Sequence, residues 1–268
     1  MISSDQPILL ITQNVLSISL ERDVVISILI PNDFHSSKAY PLILFNDGQD
    51  FERLRMSEIV GEMLHSGEIP PALIVGIHAN DARIFEYGIA AEADYAGRGD
   101  KAQKTTDFVL NELLLFLNEN YNIQEGIVYA GFSLGGLMAL DAVWNHPEIF
   151  SKAGVFSGAL WWRRTALNDN YHDYDRIMHA QLRNSNRRGG LKFWFQCGSL
   201  DEYDDRDGDG VIDSIQDTLE CIAELERKGY AWNRDVCYTE IELGEHNLDT
   251  WSKALPAFLS WALATDSH

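Results

Sequence analysis

Positive charge is scarce in this chain. Its 21 lysines and arginines stand against 41 aspartates and glutamates, a formal net charge of −20. So acidic a surface repels polyanions, and neither nucleic acid nor an anionic membrane is an expected partner. Long hydrophobic runs are absent as well, since no stretch approaches the roughly 20 apolar residues of a membrane span. Cysteine is limited to Cys197, Cys221 and Cys237, with no C-x-x-C spacing. Their odd number and apolar neighbours predict buried free thiols and a reducing compartment. The opening Met1-Ile2-Ser3-Ser4-Asp5-Gln6-Pro7 lacks a basic segment and a small-residue cleavage site, so a secretory signal is not expected and the chain reads as cytoplasmic. Internal repeats, low-complexity tracts and an interdomain linker are also missing.

What remains is a chain of 268 residues with 46% apolar content, enough for one large core. One domain over 1–268 fits better than two small ones. Residues 8–20 and 23–30 read as an antiparallel strand pair, the second closed by Pro31. Short buried strands are expected over 40–45, 72–77, 127–132, 153–158, 191–197 and 236–241. Helical patterns lie between them: from about residue 51 to Ile69, a long amphipathic helix over 101–120, then 135–145, 214–228 and 249–264. Strands alternating with helices predict an α/β fold, with a mainly parallel sheet covered on both faces. Residues 163–190, polar and irregular, read as a small insertion above the sheet. Ligands in such folds sit at the carboxyl ends of the strands, where the unusual loops of this chain converge.

One of those loops is Gly131-Phe132-Ser133-Leu134-Gly135, a G-x-S-x-G between a strand and a helix. On such a bend the serine hydroxyl projects above the sheet edge, and a Cβ at either glycine would clash with the neighbouring strand and helix. Ser133 is therefore the candidate nucleophile. A serine hydroxyl needs a general base, and the base needs an orienting carboxylate, in the chain order Ser, acid, His. His246 falls just after the last strand, where the base belongs. His146 reads as a surface residue, and His78 comes before the serine. Asp201 follows the strand over 191–197 and is the favoured acid, with Glu202, Asp204 and Asp205 as rivals. The oxyanion of a tetrahedral intermediate needs two fixed donors. One is the Leu134 amide, and the other comes from the loop after 40–45, at Gln49 or Gly48.

With these pieces in order, the chain resembles the esterase family of α/β-hydrolases that includes enterochelin esterases, feruloyl and acetyl xylan esterases and esterase D. The resemblance runs from about residue 15 to 263. It is carried by Asn46-Asp47-Gly48-Gln49, Arg83-Ile84-Phe85-Glu86-Tyr87, Gly131-Phe132-Ser133-Leu134-Gly135-Gly136, Phe156-Ser157-Gly158, Gly198-Ser199-Leu200-Asp201-Glu202 and Glu245-His246-Asn247. It implies a Ser133, Asp201, His246 triad, an oxyanion donor at Gln49, and hydrolysis of a small-molecule carboxylic ester without an organic cofactor. Siderophore, feruloyl or other aryl, and sugar esters fall within its range. Arg83 and Glu86 are expected as a structural pair beside the pocket, with substrate contact by Arg83 the alternative. Trp161-Trp162 either line a substrate wall or anchor the insertion to the core.

A second signal is Asp205-Arg206-Asp207-Gly208-Asp209-Gly210-Val211-Ile212-Asp213, close to D-x-[DN]-x-[DN]-G. Asp205, Asp207, Asp209, the Val211 carbonyl and Asp213 are the candidate ligands of a structural Ca²⁺. Gln216 stands where a bidentate glutamate is usual, with Asp217 as a substitute, and the alternative is an Asp/Gly-rich surface turn. Two rivals to hydrolysis fit the same residues: acyl transfer by the same triad, and a non-catalytic, calcium-stabilised binding protein on a hydrolase scaffold.

Overall fold

The computed structural model describes residues 7–264; of the stretch on which the leader expectation rests, residues 1–6 lie outside the described part. Eight strands form a single sheet: β1 (Ile8–Ser17), β2 (Arg22–Pro31), β3 (Leu42–Asn46), β4 (Leu73–Ile77), β5 (Ile127–Phe132), β6 (Phe150–Phe156), β7 (Lys192–Leu200) and β8 (Val236–Glu245). They lie in the order β1-β2-β4-β3-β5-β6-β7-β8. As the alternating pattern predicts, β1 and β2 form an antiparallel pair, from Ile8 opposite Pro31 to Ser17 opposite Arg22. β2 also runs antiparallel to β4, and every later pair is parallel.

The helices are α1 (Met56–Ser66), α2 (Arg83–Glu86), α3 (Ala102–Phe108), α4 (Leu114–Asn120), α5 (Leu134–Asn145), α6 (Ile177–Asn184), α7 (Asp213–Arg227) and α8 (Leu248–Leu263). β3, β4 and β5 are buried along their whole length because both faces are covered. Their side chains alternate between two cores. Leu42, Leu44 and Tyr129 join Phe108, Leu137, Ile177 and Ile222 from α3, α5, α6 and α7. Ile43, Phe45 and Phe132 join Val60 of α1 and Leu255 and Phe258 of α8 on the other face. At about 25 cal/mol per Å² of apolar surface removed from water, these two cores are the main source of stability.

Three expectations need correction. The helix over 101–120 is not uniform: a π-turn at Val109–Leu113 joins α3 to α4, inserting a residue that the 3.6-residue period does not show. The insertion 163–190 is not irregular throughout. It contains α6, whose Ile177, Met178 and Leu182 enter the core, and it packs on α5 and α7 through Gln181 to Asp141 and Arg183 to Glu224. The last strand, expected over 236–241, runs on as β8 to Glu245, the residue before His246. Cys197, Cys221 and Cys237 are free thiols, the first two buried and the third half-buried. Among the described residues, no helix is long and apolar enough to cross a membrane.

Candidate active site

Ser133 sits between the end of β5 and the start of α5 with φ 53° and ψ −120°, a backbone conformation that costs a non-glycine residue energy. Its surroundings hold it there. The Ser133 amide donates to the Phe156 carbonyl at 2.8 Å, and its carbonyl accepts from the Ala159 amide at 3.1 Å. The bend is tight enough that a Cβ on Gly131 would lie 2.4 Å from the Gly135 carbonyl oxygen, and one on Gly135 would lie 2.8 Å from Asp47 Oδ2. Both glycines are therefore required by close approach.

The candidate acid and base are brought together by strand register. Leu200 of β7 is paired with Glu245 of β8, so the next residues, Asp201 and His246, emerge side by side. A bulge between Gly198 and Leu200 lets β7 pass close to Gly244, whose carbonyl oxygen lies 2.3 Å from where a Gly198 Cβ would be. His246 Nδ1 is 4.0 Å from Asp201 Oδ1; the carboxylate is fully buried and the imidazole is 40% exposed. Burial raises the Asp201 carboxyl above its ordinary range, offset in part by Ser157, the Gly198 amide and His246. Burial also lowers the His246 imidazole, with Asp201 opposing and the Arg83 charge assisting. The net effect favours a neutral ring, the form a general base needs.

The rival acids have other work. Glu202 faces the Ser214 amide in the first turn of α7, and Asp205 accepts from the Gly208 and Gly210 amides. The Asp204 carbonyl accepts from the Asp213 amide. Of the other histidines, His78 lies 2.7 Å from the Ser27 hydroxyl and His146 lies 3.4 Å from Glu148.

Asp47, Gln49, Arg83, Phe132, Ser133, His246 and Trp251 line one open cleft of about 450 Å³. Leu134 supplies the first amide of α5, which has no carbonyl one turn earlier in the helix to bond and points with the positive end of the helix dipole. Gln49 lies in the short 3₁₀ turn after β3 and lines the cleft; Gly48 instead abuts the Gly76 backbone of β4. The turn is set by Asp47, buried and left-handed at φ 65°. Asn46 ties it to α5, since its Nδ2 donates to the Gly135 carbonyl at 2.8 Å and its Oδ1 accepts from Tyr129.

Arg83 belongs to this turn, and the expected pairing with Glu86 is incorrect. Arg83 donates to Asp47 from Nε at 2.6 Å and from NH2 at 2.7 Å, and also to the Phe132 carbonyl at 3.3 Å. Glu86 is taken by Arg22. A short helix that begins at Arg83 aims successive side chains in different directions, which a list of nearby charges does not reveal. Burial opposes the Arg83 charge, but Asp47 outweighs it and holds the guanidinium above its ordinary value.

Trp161 and Trp162 do not line this cleft. Trp162 is fully buried in the core against Gly88 and Gly99. Trp161 is half-buried, between Arg98 and Arg163. They take the anchoring role, because the Trp162 carbonyl accepts from the Ile177 amide at 2.8 Å and so fastens α6. Trp251 carries no sequence signal of its own, and Ser157 shows one only within Phe156-Ser157-Gly158. Trp251 donates from Nε1 to Ser157 Oγ at 3.0 Å. Ser157 has φ 44° at the end of β6, a position where the Phe156-Ser157-Gly158 signal was visible without its purpose.

In the acidic loop, one oxygen each from Asp205, Asp207 and Asp209 lies within 4.8 Å of the others, all on exposed residues. The carboxylates curl the loop by accepting the Gly208, Asp209, Gly210 and Val211 amides. Asp213 faces Arg206 instead. Asp217 is buried between Arg176 and Arg206, so it does not substitute at the twelfth position. Gln216 at that position donates to Asp207 at 2.9 Å. Three carboxylates thus fit a hard cation, whereas Asp213 and Asp217 are diverted to arginine.

The sheet order, the elbow serine and the loops at the carboxyl ends of the strands define an α/β-hydrolase. Over residues 17–262 the chain matches the family described as "Putative esterase", and it belongs to that family. Two proteins of Bacillus subtilis (strain 168), the uncharacterized proteins YbbA and YjcH, are 24% identical over 147 residues and 26% identical over 135. These matches cover 52% and 49% of this chain, and a little over half of the relatives' own length, 57% and 54%. The structure is similar to the enterochelin esterase from Shigella flexneri, with a TM-score of 0.75 and 20% identity over 96% of this chain and 58% of that one. A ferulic acid esterase gives a TM-score of 0.69 and 18% identity, covering 97% of this chain and 98% of that one. An IroE-like serine hydrolase from Shewanella oneidensis gives 0.69 and 18%, covering 96% and 82%. At these identities the likeness is one of fold.

Proposed function

We propose that the chain hydrolyses carboxylic esters through an acyl-Ser133 intermediate. The observation that carries this reading is one cleft holding Ser133 on a strained elbow and His246, with buried Asp201 directly behind the imidazole. His246 takes the Ser133 proton as the hydroxyl oxygen attacks the ester carbonyl carbon. The carbonyl π electrons move to oxygen, and the Leu134 and Gln49 amides stabilise that charge. As the tetrahedral intermediate collapses, the bond to the alcohol oxygen breaks and His246 returns the proton to it. Water, deprotonated by the same imidazole, then releases the acid. The 40% exposure of His246 favours hydrolysis over acyl transfer, since a transferase has to keep water from its acyl-enzyme.

Phe132 and Trp251 give the cleft an aromatic wall, and its two arginines, Arg53 and Arg83, are paired with Asp50 and Asp47. Together with a ferulic acid esterase among the structural neighbours, and an enterobactin esterase from Shigella flexneri solved in the presence of 2,3-dihydroxy-N-benzoyl-glycine, this supports an ester of an aromatic, hydroxylated acid. Comparing turnover of short p-nitrophenyl esters with methyl ferulate and a 2,3-dihydroxybenzoyl-serine ester tests the preference. Equal kcat/KM for aryl and alkyl acids would remove it. A Ca²⁺ held by Asp205, Asp207 and Asp209 is proposed as a structural ion that steadies the loop after Asp201, with no part in the chemistry.

A further inference from the structure

Asp201 presents an accounting problem. Its side chain is fully buried, neither carboxylate oxygen has a hydrogen-bond partner within normal distance among the described residues, and His246 Nδ1 stands off at 4.0 Å. A buried carboxylate needs donors. Besides His246, the groups facing it are the Gly198 amide and the Ser157 hydroxyl. Ser157 is 2% exposed and held at φ 44°. Its Oγ already accepts the indole N–H of Trp251 at 3.0 Å. A hydroxyl whose oxygen is occupied as acceptor has its proton left to give, and Asp201 is the acceptor it faces.

Trp251 touches the other parts of the site as well. Its ring stacks on Phe132, the residue before Ser133, with centroids 5.1 Å apart and planes at 26°. The same ring meets His246 edge-to-face, at 5.2 Å and 80°. One residue of α8 thereby contacts the strand end that carries the nucleophile, the ring of the base, and the serine that faces the acid. On the proposed hydrolytic reading, we infer that Trp251 and Ser157 are positioning residues. The indole N–H orients the Ser157 hydroxyl so that it donates to Asp201, and the indole ring fixes the plane of His246. The charged groups facing His246 are Asp201 and, from α2, Arg83.

Removing the Ser157 hydroxyl leaves Asp201 with one donor fewer, which makes it a stronger base and stabilises the imidazolium. The acid limb of the kcat/KM profile then moves to higher pH. Ser157→Ala is expected to lower kcat for p-nitrophenyl acetate about tenfold, the scale of one hydrogen bond to a charged group, with KM nearly unchanged. Trp251→Phe keeps the ring and removes the N–H. It is expected to move the limb in the same direction, and the double variant is expected to move it no further than Ser157→Ala alone. A His246 titration followed by NMR reads the same upward shift without needing turnover. An unchanged His246 titration in Ser157→Ala, or shifts that add in the double variant, would overturn the inference. Loss of turnover in the wild type with the His246 shift intact would count against the hydrolytic reading alone.

Discussion

Arg83 grips Asp47 through two parallel hydrogen bonds while its NH2 also reaches the Phe132 carbonyl. The turn that presents Gln49 and the strand that ends at Ser133 are therefore held by one guanidinium. Replacing Arg83 by Met leaves Asp47 buried and unpaired. That is expected to cost about 3 kcal/mol of stability, visible as a lower urea midpoint, together with a loss of kcat. Arg83→Met combined with Asp47→Asn is expected to recover much of the stability and little of the activity. If the single variant melts like the wild type, the clasp is not a structural element.

Gln49 ties the same turn from within. Its Nε2 donates to Asp47 at 3.2 Å and its Oε1 accepts the Ala79 amide at 2.9 Å. Gln49→Ala keeps the backbone donor but frees the turn, so kcat is expected to fall about tenfold at nearly constant KM. A change confined to KM would instead make Gln49 a substrate contact.

On the proposed mechanism His246 acts as the neutral ring, and its burial and the Arg83 charge both lower its affinity for protons. The acid limb of kcat/KM is therefore expected below the ordinary histidine value of about 6.5. In Arg83→Met the limb is expected to rise, because a positive charge has been removed. A limb at or above the ordinary value in the wild type would contradict this ordering of causes.

His179 is 1% exposed, and burial lowers it to about 4. The folded state thus resists a proton that the unfolded chain takes up near 6.5, so stability is full above 6.5 and falls as pH drops toward 4. The loss at the lower end is about 3 kcal/mol for this residue. Urea unfolding at pH 7 and pH 4.5 measures it, and His179→Gln is expected to flatten the pH slope. An unchanged slope would assign the acid sensitivity to other groups.

The acidic loop is tested by thermal melts in EDTA and in millimolar Ca²⁺. Binding at a hundred times the dissociation constant adds about 2.7 kcal/mol. A rise in Tm that Asp207→Ala abolishes is expected; identical melts would make the loop an ordinary turn.

Much of the architecture was legible because buried strands and amphipathic helices differ in period. Ile43 and Phe45 alternate with Leu42 and Leu44 between the two cores as the sequence implies. The nucleophile, acid and base candidates were legible because chain order and strand ends constrain them. Pair contacts between distant segments were not. Arg83 meets Asp47 instead of Glu86, and Trp251 meets Ser157 across 94 residues, because sheet order, not sequence distance, sets those meetings. Trp162 was ambiguous for a related reason: an aromatic past a strand end can face the cleft or the core, and Gly88 and Gly99 leave room in the core.

Everything proposed for the site depends on Ser133 attacking esters with His246 as its base. Mass spectrometry after exposure to a fluorophosphonate, run beside p-nitrophenyl acetate turnover, tests it most directly. One adduct is expected, on Ser133, with turnover abolished in parallel, and neither labelling nor turnover in Ser133→Ala. Turnover that survives in Ser133→Ala, or a wild type that Ser133 labelling never marks, would contradict it.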